Sequence, residues 1–65
     1  MTERILTIST RDVMQAHSAL GQIGWELIDG LPEWAPKRAI GTYIKSGRVA
    51  VLLGLYGDYV LETKR

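Results

Sequence analysis

Apolar and polar positions alternate with a period near two, then near three and a half, then near two again, which predicts a strand, a helix and further strands. The first block, Arg4 to Thr10, is short and rich in β-branched residues (Ile5, Thr7, Ile8, Thr10), as suits a pleated, half-buried segment. Ser9 or Thr10 then offers a hydroxyl that can accept from an orphan amide of a first helical turn, and Asp12 adds negative charge there. A helix is expected from about Arg11. Its apolar residues Val13, Ala16, Leu20 and Ile23 recur at three- and four-residue spacing, so one stripe faces a core. Gly21 and Gly24 mark its end, one of them in a left-handed conformation that closes the last turn.

A second strand, Trp25 to Ile28, is stopped by Asp29-Gly30 and Pro32. Pro32 and Pro36 frame Leu31 to Arg38, and two residues lacking a backbone donor keep that segment out of regular ladders, which predicts an ordered surface loop. The β pattern returns from Ile40 to Lys45, turns at Ser46-Gly47, runs from Arg48 to Tyr56, turns again at Gly57-Asp58, and closes with Tyr59 to Lys64. Two-residue turns set Lys45 opposite Arg48, Tyr43 opposite Ala50, Tyr56 opposite Tyr59 and Leu55 opposite Val60. One sheet face then carries Ile40, Ile44, Val49, Val51, Leu53, Leu55 and Val60, and is expected to pack on the helix. The other carries Tyr43, Ala50, Leu52, Tyr56, Tyr59 and Leu61. A face of that kind, left uncovered by a single helix, predicts a self-association surface through Tyr43, Leu52, Tyr56, Tyr59 and Leu61. The fold class expected is α+β: a single mainly antiparallel sheet of four to five strands with one helix on one face, residues 1–65 forming one small domain.

Composition narrows the function classes. At 65 residues, hydrophobic content of 46% and charged content of 23% describe an ordinary folding sequence of marginal size. Cys is absent and there is one His, so disulfides, thiolate metal sites and His-built metal sites are excluded, and no cofactor is implied. Self-association, first as a dimer, is the remaining way to reinforce so small a core. A net charge of +1 lacks the Lys and Arg excess of an obligate nucleic-acid binder. The uncharged run Val49 to Tyr56 is too short to cross a bilayer, and Glu3 and Arg4 precede any apolar block, so neither a membrane span nor a signal peptide is expected and the cytoplasm is the expected compartment.

The segment Leu20-Gly21-Gln22-Ile23-Gly24-Trp25-Glu26-Leu27 resembles a family of small, mostly prokaryotic and phage domains of unknown function, in which a helix ends in Leu-Gly-x-x-Gly-Trp-Glu-Leu and a strand follows. The resemblance covers about half the chain, including the preceding strand and helix and a terminal strand ending in Lys64-Arg65. The stretch from Pro32 to Gly47 has no counterpart in it. It implies a fold and no catalytic residue.

Candidate chemistry is sparse. His17, the single histidine, lies at the edge of the helical stripe and has no partner legible in sequence, so a half-packed boundary residue is the simpler reading. Glu26 and Asp29 fall on opposite faces of their strand and do not form an acid–base pair. Gly21 and Gly24 end a helix rather than open one, the reverse of a phosphate-binding geometry. Trp34 with Lys37 and Arg38 could stack a base and meet phosphate, with Lys45 and Arg48 extending the site, as in single-strand nucleic-acid recognition. Against this stands the reading that Trp34 folds back as a lid. The expectation is a non-catalytic protein that self-associates and binds another macromolecule, in first place a protein, as phage or bacterial accessory and inhibitory proteins do; nucleic-acid or nucleotide binding is the alternative.

Overall fold

A computed structural model describes every residue, Met1–Arg65. Its elements are β1 (Thr2–Ile8), α1 (Val13–Gln22), β2 (Glu26–Ile28), β3 (Ala39–Lys45), β4 (Arg48–Leu55) and β5 (Asp58–Lys64). The strands form one antiparallel sheet in the order β1-β5-β4-β3-β2, an α+β architecture with β1 and β2 at its two edges.

The cap of α1 is Asp12, two residues past Thr10, the nearer of the hydroxyls read from sequence. Its carboxylate accepts from the Met14 amide at 2.9 Å, and Thr10 Oγ1 accepts from the Asp12 amide at 3.1 Å, so the two side chains share the cap. At the other end the Trp25 amide donates to the Leu20 carbonyl at 3.0 Å and the Gly24 amide to that of Gly21 at 3.2 Å. With Gly24 at φ +97°, this is a Schellman closure, and its usual apolar contact is made by Trp25 and Leu20 in one cluster. The Leu-Gly-x-x-Gly-Trp segment is therefore a helix stop whose two large side chains belong to the core.

Both hairpins turn through two residues with positive φ, Ser46-Gly47 (51° and 78°) and Tyr56-Gly57 (51° and 85°), the primed geometry that suits the twist of paired strands. The first register is as read from the chain, Lys45 opposite Arg48 and Tyr43 opposite Ala50. The second differs. Tyr56-Gly57 rather than Gly57-Asp58 forms the turn, because this geometry takes glycine best at its second position, and Leu55 pairs with Asp58, Gly54 with Tyr59 and Leu53 with Val60. The shift is two residues, so the sorting of side chains between faces survives while Tyr56 leaves the sheet.

The larger correction concerns coverage. Ala16 and Leu20 of α1 are fully buried against Tyr43, Ala50, Leu52 and Leu61, with Trp25 in the same cluster and Tyr59 packed on it. The helix thus covers the tyrosine-bearing face, not the aliphatic one. The aliphatic face is covered too: Trp34 and Ala35, from the segment between the prolines, pack on Ala39, Val51, Leu53 and Val60. Here the loop acts as a second layer. Thr42 Oγ1 donates to the Gly30 carbonyl at 2.6 Å and ties the start of that segment to β3, while Thr63 Oγ1 donates to the Val49 carbonyl at 2.7 Å, so no buried side-chain polar atom lacks a partner. Register shifts interrupt two ladders, between Arg4 and Leu6 in β1 and between Ala39 and Gly41 in β3. The second re-aims Ile40, which the strict alternation had put among the core residues and which is instead 54% exposed.

Candidate functional site

The residues read as a self-association face do not present one. Tyr43 is 3% exposed, and Leu52 and Leu61 are buried with it beneath α1, because the helix needed a flat apolar platform and Ala16 is small enough to let it approach. Tyr59 is half-buried at the margin of that cluster. Tyr56 is 95% exposed at the tip of the second hairpin. An interface through these five side chains would require the helix to leave.

Nor do the proposed stacking and phosphate-binding residues converge. Trp34 is half-buried as part of the second layer, and Lys37 and Arg38 are exposed just before β3 begins at Ala39. Lys45 sits at the far end of that strand, six steps or about 20 Å away at ~3.3 Å per residue, with Arg48 opposite it at the start of β4. Two separate pairs of cations replace the continuous strip.

What the fold leaves open is the β2 edge. Of nine exposed large hydrophobic side chains, six flank it: Val13, Met14, Leu27 and Ile40 on the helix side, Ile28 and Leu31 towards the other face. The first four rim a cleft of about 240 Å³ whose floor is Gly41, Tyr43 and Leu52, with His17 on its wall. At Gly41 the cleft floor is bare backbone, where a Cβ would make ordinary contact with Leu27 Cδ1 at 3.4 Å and Tyr43 Cε1 at 3.6 Å. The backbone contributes as well. Lys45 and Arg48 close a two-residue hairpin and form a hydrogen-bonded pair; alternation then turns the N–H and C=O of Tyr43 towards β4, so Leu27, opposite Tyr43 on the other side, directs its own N–H and C=O outward. The β1 edge differs in carrying a register shift between Arg4 and Leu6, while both edges bear charge, Glu3 and Arg4 on β1 and Glu26 on the three-residue β2.

At the cleft wall His17 Nδ1 and the Tyr43 hydroxyl are hydrogen-bonded at 2.9 Å, with ring centroids 5.8 Å apart. Burial raises the Tyr43 hydroxyl above the usual 10.0. A phenol so held gives up its proton less readily, and the imidazole that it meets lies on the exposed side of α1. Sequence alone did not reveal this pair, since His17 and Tyr43 lie 26 positions apart and only the identity of the covered face brings them together. No group of three or more His, Asp or Glu side chains is arranged to hold a metal ion, and no helix is long and apolar enough to cross a membrane.

No protein-family model matches the chain, and no curated protein or solved structure matches it significantly.

Proposed function

We propose that this is a non-catalytic interaction protein that accepts a second strand along the β2 edge, in the first instance the β2 of another copy. The observation that carries the reading is the apolar surface at one sheet edge: β2, three residues long and bearing Glu26, is flanked on both sides by exposed aliphatic and thioether side chains, whereas β1 is interrupted by a register shift. An antiparallel pairing centred on Leu27 lets the two Leu27 residues exchange both outward hydrogen bonds and sets Glu26 opposite Ile28 of the second copy. The twofold axis of such a pair stands perpendicular to the sheet, so the Met14 and Ile40 patches of the two copies meet on the same side.

Sedimentation between ~1 and ~300 µM tests it. A species of twice the 7.3 kDa chain mass should grow in with concentration, and Leu27→Lys should remain at the chain mass with an unchanged circular dichroism spectrum. Wild-type protein that stays at the chain mass throughout overturns the self-pairing.

A further inference from the structure

A second concavity lies on the same side of the sheet as α1 but at its other end, and it is built differently from the β2 cleft. Its volume is about 430 Å³, its apolar lining is Ile5, Leu6, Ile23 and Trp25, and its remaining lining residues are Lys45, Ser46 and Arg48. The register shift in β1 explains the floor: Ile5 and Leu6 are consecutive, yet both pack against the cluster under the helix, which regular alternation would forbid. Ile23, just past the end of α1, stays 48% exposed as part of this wall. Lys45 and Arg48 are cross-strand partners at the hairpin end, and alternation puts both on the helix side with Tyr43 and Ala50. The rim already engages a carboxylate, because Arg48 Nη2 lies 3.5 Å from Glu3 Oε1 with both side chains about half exposed.

We propose that this pocket binds a small amphipathic carboxylate, of the medium-chain fatty-acid type, with its chain on Ile5, Leu6, Ile23 and Trp25 and its head group between Lys45 and Arg48. Apolar floor and cationic rim match the two ends of such a molecule, and a pocket of this size suits a small ligand. The guanidinium offers a carboxylate two parallel donors and the ammonium adds a point charge. Glu3 is an internal competitor: the ligand head group replaces its carboxylate on Arg48. Lys45 has a structural duty as well, since its side chain lies across Gly24, whose Cβ position is 3.3 Å from Lys45 Cε, and so brings a cation to the carboxyl end of α1. The test must separate the two roles.

Titration of the ¹⁵N-labelled full chain with sodium decanoate, below its micellar concentration, does so by nuclear magnetic resonance. Saturable shifts are expected at Ile5, Leu6, Ile23, the Trp25 indole and Lys45. Affinity should fall at least tenfold for Arg48→Ala and Lys45→Ala, and for n-decanol in place of decanoate. Glu3→Gln should bind two- to fivefold more tightly, a gain that a purely structural hairpin charge would not produce. No saturable shift, equal binding of decanol, an unchanged or weakened affinity in Glu3→Gln, or shifts confined to Val13, Met14, Leu27 and Ile40 would each overturn the assignment. The oligomeric state is read separately, so either surface can fail without the other.

Discussion

Two glycines three residues apart do opposite things. Gly24 sits at φ +97° with Lys45 against its Cβ position, whereas Gly21 is inside α1 with open space where a side chain would go. Gly24→Ala should therefore lower stability by about 1–2 kcal/mol, and Gly21→Ala should raise it by about 0.5–1 kcal/mol, because a helical glycine only adds unfolded-state freedom. Urea unfolding with an unchanged slope checks both, and equal signs would contradict the helix stop. Tyr43 yields a pH-dependent expectation. Its hydroxyl is raised by burial, so the folded chain holds that proton more tightly than the unfolded one; the associated stability is complete below about pH 10 and is lost as pH climbs through the folded-state value. Tyr43→Phe should be about 1 kcal/mol less stable at neutral pH for want of its bond to His17, and flatter than wild type between pH 9 and 11.5. Parallel alkaline profiles for the two proteins would show that Tyr43 is not the group responsible.

At the scale of elements, the segment between the prolines changes meaning most. Composition predicts a loop there, and it is one, but its Trp34 and Ala35 cover Val51, Leu53 and Val60. Trp34→Ala should cost about 2–3 kcal/mol, less than full excision of a core tryptophan because the ring is half-buried, and Trp34→Phe should recover part of it. A loss below 0.5 kcal/mol in chemical denaturation would reduce the segment to an ornament. The same comparison shows what was legible. Turn residues and β-branched runs located all five strands, and the Gly21/Gly24 pair located the helix end while leaving open which of the two closes it, because those signals are local. Face membership of Tyr43, Leu52 and Leu61 followed from alternation and survived a two-residue slip of the second hairpin. The covering of each face was not legible, since both are apolar and nothing local distinguishes a platform for Ala16 and Leu20 from one for Trp34. The re-aiming of Ile40 and the pairing of Ile5 with Leu6 depend on register shifts that leave no local mark in the sequence. The β2 edge and the Lys45–Arg48 pocket were missed for that reason, although Lys45 and Arg48 had been singled out as cations.

For the whole molecule the decisive contrast is between a chain with few residues to spare and the apolar surface it nevertheless exposes. Thirteen of 65 residues are buried, seven in one apolar cluster and four in another on the opposite face of the sheet, so neither cluster is large enough to waste contacts. Six aliphatic or thioether side chains, each between 37% and 74% exposed, stand around β2 on a small body of 26 × 24 × 19 Å. If a second copy covers that surface, folding and pairing are linked, and stability must depend on concentration. Above the dissociation constant each tenfold increase stabilises a chain by about 0.7 kcal/mol, half of the ~1.4 kcal/mol per dimer, which for a domain of this length raises Tm by about 3–6 °C. Differential scanning calorimetry at 20 and 200 µM measures the shift. Leu27→Lys should melt at a single temperature at both concentrations, and at the lower one it should approach wild type, because an exposed edge side chain contributes little to the monomer. A wild-type Tm that does not move with concentration would mean that the β2 edge stays unpaired by its own kind and that its apolar flanks await a different chain.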